Sequence, residues 1–127
     1  MRTLLFVFLG GGAGSLMRFG VQGLVHRWPL LLPFPWATLG VNLVGSFLIG
    51  LFYAWSARFH WADDVRLLLT TGLCGGFTTF STFSHEGMAM LRGGHYGAFF
   101  CYVVASVAAG VLFAFLGGWA GTSFSGK

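Results

Sequence analysis

Residues 75–84 read "GGFTTFSTFS" inside an otherwise apolar stretch. On a helix, Phe80 and Phe83 lie three apart and share one face, and Phe77 extends that line. Thr79, Thr82 and Ser84 fall on neighbouring faces. An aromatic ring has a negative face and a positive edge, so ring edges pointing into a narrow path would meet a small anion favourably. Rings carry no full charge and would not trap the ion, which is the balance that conduction needs. The plainer alternative is a packed aromatic stripe, but the hydroxyls between the rings argue against it. Just upstream, "GLCGG" (72–76) places weak helix formers mid-segment and invites a helix break. A break frees backbone carbonyls, and carbonyls converging from two protomers would coordinate a cation.

Four other polar residues sit within apolar segments, where a polar group is costly and suggests function. Arg18 has two readings: snorkelling to the nearer interface, or anchoring backbone carbonyls and drawing anions into a vestibule. Asn42 suits an interhelical hydrogen bond or a pore-facing amide that donates to an anion. Glu86 suits pairing with Arg18 or His85, and a membrane carboxylate also suits a proton- or cation-coupled transporter. A structural or gating role is the favoured reading for it. Ser106 is expected to bond its own i−4 carbonyl by default.

The elements that must position these groups follow from composition. The 127 residues are 56% hydrophobic and 8% charged, with a mean hydropathy of +0.79. A chain exposed to water carries about 25% charged residues, so a membrane protein is expected. Seven basic residues against three acidic ones are too few and too scattered for a nucleic-acid surface. A span needs about 20 apolar residues. Four segments qualify: 3–25, 36–57, 67–91 and 96–121. Backbone satisfaction in lipid makes them helical. The expectation is one all-α domain over 1–127 with four transmembrane helices, the third broken mid-membrane. The start reads as a retained first helix rather than a signal peptide, because no convincing cleavage site follows it. The first connection holds all three prolines, which favour extended chain. Cys74 and Cys101 fit no metal-ligand spacing and read as buried small apolar residues.

Small residues recur at 10–15, at Gly40, Gly45 and Gly50, and at Ala105, Ala109, Gly110 and Ala114. Such spacing lets helix backbones approach closely, within one chain or in an oligomer. Both termini of a four-span chain lie on one side. Arg2, Arg58, Arg66 and Lys127 fall there, against Arg18, Arg27 and Arg92 at the other. That balance gives almost no orientation bias, so insertion in both directions and an antiparallel homodimer are expected.

"GGGAGSLMRFG" (10–20), "GVNLVGSFLIG" (40–50) and above all "TTGLCGGFTTFSTFSHE" (70–86) resemble the small bacterial fluoride channels of the Fluc, or CrcB, family. The resemblance covers all four spans. It implies an antiparallel dual-topology homodimer in the bacterial cytoplasmic membrane with two fluoride-selective pores. It implies passive export that lowers cytoplasmic fluoride. By the resemblance, Phe80 and Phe83 turn ring edges to fluoride and Asn42 is the pore asparagine. Ser81, Thr82 and Ser84 match the motif's hydroxyls, and Ser106 stands in part for a hydroxyl track in the last helix. Arg18 and Glu86 match the first-helix arginine and the acid after the motif. The carbonyls of Gly75 and Thr78 match those that hold a structural Na+ at the dimer interface. The chain departs from some relatives at Gly110 and Ala114, where those carry hydroxyls.

Two rivals come from other classes. A small proton-coupled multidrug exporter would need a membrane carboxylate, and Glu86 alone is available. A non-transporting assembly subunit would leave Asn42 and the hydroxyls without a purpose. No nucleophile–base pair or phosphate loop suggests an enzyme.

Overall fold

The computed structural model describes residues 1–25 and 34–124, with Phe124 described by its backbone alone. Arg27 and Lys127 of the charge count, and Pro29 and Pro33 of the first connection, lie outside the described residues. Every regular element among the described residues is helical. α1 (Arg2–Val25) and α2 (Trp36–Phe59) are each 24 residues long. A short α3 (Asp63–Leu67) runs into a π-helical segment, Leu68–Cys74, and then α4 (Gly75–Phe77). After α5 (Phe80–Arg92), α6 (Tyr96–Val104) continues through a second π-helical segment, Ala105–Ala109, into α7 (Gly110–Phe124).

Three helical runs are long and apolar enough to cross a membrane: Arg2–Val25, Trp36–Phe59 and Tyr96–Ser123. They coincide with the first, second and fourth expected spans. The stretch expected as the third span is divided. Helical winding stops after Phe77, Thr78 (φ −86°, ψ 162°) and Thr79 (φ −155°, ψ 125°) are extended, and α5 starts at Phe80. The glycine run 72–76, expected to break the helix, stays helical. Its glycines serve close approach instead: a Cβ on Gly76 would strike the Gly11 carbonyl of α1. The interruption falls on two β-branched threonines, whose stiff side chains favour extended backbone.

Two glycine seams join the helices. α1 packs on the π-helical segment and α4, where a Cβ on Gly10 or Gly14 would strike the carbonyls of Leu68 or Leu73. α2 packs on α7, where Gly50 meets the Ala114 carbonyl and Gly117 the Phe47 carbonyl. These glycines therefore act within one chain. At the chain start, Arg2 Nε donates to Asp64 Oδ2 at 2.8 Å and the Thr3 hydroxyl donates to Oδ1 at 3.0 Å. The Arg2 guanidinium, then Thr3, hold the Asp64 carboxyl below the usual carboxylate range.

The apolar pattern is turned outward. Leu4, Phe8, Leu16 and Phe19 of α1 and Val111, Phe115 and Trp119 of α7 are exposed. The small buried cluster is Leu39, Met90 and Tyr102. Water-facing proteins invert this arrangement, so the outer faces suit lipid. Cys74 is buried, but Cys101 lies on the exposed face of α6 rather than inside.

Replacing Gly117 with Val forces a side chain into the Phe47 carbonyl. The seam should loosen at a cost of about 1–3 kcal/mol, seen as a lower thermal unfolding midpoint in detergent. Gly97→Ala, at a position with open space around it, should leave the midpoint unchanged.

Candidate functional site

A cavity of ≈ 390 Å³ opens beside the interruption, and Asn42, Gly75, Thr78, Phe80, Phe83 and Ser106 all line it. It thus collects six of the residues marked by the sequence, from α2, from both sides of the interruption and from the second π-helical segment. Ser81, Thr82, Ser84, Arg18 and Glu86 do not line it.

The cavity depends on how Thr79 is held. Thr79 N–H donates to Asn42 Oδ1 at 3.0 Å, and Asn42 Nδ2 donates to the Thr79 carbonyl at 3.3 Å. One side-chain amide therefore satisfies both backbone groups of an extended residue, as a neighbouring strand would. Without it, two half-buried polar groups would lack protein partners, at a cost of up to about 1–3 kcal/mol each. The Thr79 side chain then starts the next helix. Its Oγ1 accepts from Thr82 N–H at 3.3 Å, an N-cap. The Thr79 hydroxyl donates to Thr82 Oγ1 at 3.2 Å, and Ser81 Oγ lies 3.4 Å from Thr79 Oγ1. Ser81 and Thr82 thus knit the cap together. Ser84 is on the exposed face of α5.

The same bonds release two carbonyls. In an unbroken helix, Thr79 N–H would donate to the Gly75 carbonyl and Thr82 N–H to the Thr78 carbonyl. Both donors are turned elsewhere, to Asn42 and to Thr79 Oγ1. Gly75 and Thr78 therefore offer oxygen ligands at the cavity edge, which is the donor chemistry a hard cation requires. The intervening Gly76 carbonyl is taken by Arg18, whose Nε donates to it at 3.3 Å. Of the two readings of Arg18, the structure shows the carbonyl anchor.

The Phe80 and Phe83 ring centroids lie 5.6 Å apart at 38°, and Phe83 also meets Tyr102 at 4.9 Å. Phe80 is 78% exposed in the single chain, so its ring reaches beyond what this chain covers. Phe77 does not extend their line. It precedes the interruption and is buried against the Gly45 side of α2.

Glu86 pairs with neither Arg18 nor His85. Thr38 Oγ1 donates to Glu86 Oε2 at 3.0 Å and the Tyr102 hydroxyl donates to Oε1 at 2.9 Å, while Gln22 Nε2 donates to Thr38 Oγ1 at 3.3 Å. Thr38 and Tyr102 are fully buried. This network ties α1, α2, α5 and α6 together. Ser106 does not bond its i−4 carbonyl; its Oγ is buried without a partner.

The model of the family described as "CrcB-like protein, Camphor Resistance (CrcB)" matches residues 5–118. The chain belongs to the CrcB family. Its relatives include the fluoride-specific ion channel FluC of Bacteroides fragilis, 46% identical over 126 residues, covering 98% of this chain and 99% of that protein. The protein of the same name from Phocaeicola vulgatus is 49% identical over 119 residues, covering 94% and 98%. That of Thermus thermophilus is 46% identical over 117 residues, covering 92% and 93%. The match to the family spans the interruption, the cavity and the Glu86 network alike.

Thr79, Thr38 and Tyr102 carry more of this site than the sequence suggested. Thr79 looked like one hydroxyl among several. Tyr102, near the start of the most apolar run, carries a readable signal, because a buried tyrosine hydroxyl needs a partner. Removing that hydroxyl in Tyr102→Phe should leave Glu86 one donor short and destabilise the fold by about 1–3 kcal/mol. Thermal unfolding of the purified variant measures this. An unchanged midpoint would mean that the network does not hold the helices together.

Proposed function

We propose that the protein is a fluoride-selective channel that lets fluoride leave the cell passively, so lowering cytoplasmic fluoride and its toxicity. One observation carries the reading: the Asn42 amide and the Phe80 and Phe83 rings face one cavity. Asn42 uses one Nδ2 hydrogen on the Thr79 carbonyl. An amide has two, so one remains for an anion. The positive ring edges add attraction without full charge. A small anion gains most from such donors because its charge is concentrated. The names of the relatives point the same way. The exporter rival loses support, since Glu86 is engaged by Thr38 and Tyr102.

The working unit in this reading is an antiparallel dual-topology homodimer in the bacterial cytoplasmic membrane, with two pores. The exposed Phe80 ring supports it, because a second copy would complete the wall that one chain leaves open. The interruption at Thr78–Thr79 would then lie at membrane depth, where irregular backbone is tolerated only when buried in protein or lining water. A structural Na+ fits the freed carbonyls of Gly75 and Thr78. Two copies about a two-fold axis would offer four such oxygens. Bound there, the ion would supply positive charge that holds the two copies' carbonyls together. Gln22, Thr38 and Tyr102 keep Glu86 in place, and Arg18 fixes the end of α4.

Purified protein in liposomes should release fluoride down its gradient without a proton gradient, with chloride retained. Phe80→Ile or Phe83→Ile should slow fluoride release about tenfold, the worth of a ring contact of about 1.5 kcal/mol, while the oligomer survives on size-exclusion chromatography. Wild-type protein that passes no fluoride, or passes chloride equally, would refute the function. Full flux in both variants would remove the rings from the path.

A further inference from the structure

We propose that Ser46 is a permeation residue: with Ser106 it forms a second station for the anion, one helical turn beyond Asn42. This rests on the channel reading above and adds a residue to it. Ser46 follows Asn42 by four positions on α2, so the two share one face. Both line the ≈ 390 Å³ cavity, and Ser106 and Val107 form the facing wall.

Three observations turn a pair of serines into a station. First, the Ser106 hydroxyl is buried and bonds no described residue. A buried hydroxyl without a partner is costly, and a passing anion or its hydration water would relieve that cost. Second, the Ser46 hydroxyl also bonds no described residue. Thr70 and Thr78 turn their hydroxyls back to the carbonyls four residues earlier; Ser46 does not. Third, Gly110 leaves Ser46 uncovered. A Cβ built there would sit 3.6 Å from Ser46 Oγ, an ordinary contact, so the glycine leaves the hydroxyl open on that side. The π-helical winding over Ala105–Ala109 marks the same wall, and such winding is frequent at functional sites.

The chemistry suits a small, strongly hydrated anion. Two hydroxyl donors replace part of the shell that the ion leaves behind. Ile49 and Val107 line the remainder, so nothing there binds the ion tightly enough to hold it. Asn42 and the serine pair would thus act as successive donors along the cavity, with the ion passing from one to the next.

The test is fluoride efflux from liposomes holding the full-length protein, read alongside thermal unfolding. Ser46→Ala should slow efflux about tenfold, the worth of one hydrogen bond to an ion, with the unfolding midpoint unchanged. Ser46→Thr keeps the hydroxyl and should restore most of the rate. Ser106→Ala removes a buried group that has no partner, so folding should be unharmed or improved while efflux still falls. A serine with only a structural role would not slow flux in a protein of undiminished stability. Wild-type flux from both alanine variants overturns this inference alone. Wild-type protein that passes no fluoride overturns the channel reading and this inference with it.

Discussion

The site depends on one paired contact, the Asn42 amide against both backbone groups of Thr79. Extended backbone between two helices has no intrinsic hydrogen-bond partner, and an interruption shielded from water must find one. Asn42 supplies both halves at once. Everything nearby follows from that. Thr79 is freed to cap α5, the cap sets where Phe80 and Phe83 project, and the carbonyls of Gly75 and Thr78 lose their helical donors. A residue that lines the cavity is also the fastener that gives the cavity its shape.

The fastener needs a rigid frame on both sides. On one side the glycines of α1 bring its backbone against the π-helical segment and α4, and Arg18 closes the end of α4. On the other, Gly45 makes room for Thr78 against α2, and Gly50 and Gly117 clamp α2 to α7. Glu86, Thr38 and Tyr102 then fix α5 to α2 and α6. Lipid gives helices no hydrophobic reason to associate, so close backbone packing and buried hydrogen bonds must do that. Here they converge on the same few residues that shape the cavity.

Much of this was legible in the sequence. Unbroken apolar length located α1, α2 and the last helical run, because length and hydropathy are properties of the chain itself. The gathering of Asn42, Phe80 and Phe83 was expected from the family resemblance, because residue type alone left Asn42 open between an interhelical hydrogen bond and a pore-facing amide. The position of the interruption was not. Glycine is a weak helix former, so the run 72–76 looked like the break; only the approach of α1 shows that those glycines pack while the threonines after them turn. Glu86 was matched by charge to Arg18 or His85, yet the Arg18 guanidinium is engaged on the Gly76 carbonyl, and hydroxyls serve the carboxylate instead. Partners chosen by tertiary geometry leave no mark on spacing.

The most direct test is fluoride efflux from liposomes holding Asn42→Asp. Aspartate keeps an acceptor for Thr79 N–H, cannot donate to the Thr79 carbonyl when ionised, and sets a negative charge in the anion's path. Efflux should fall to the level of protein-free liposomes. Efflux at the wild-type rate would contradict both the pairing and the path built on it.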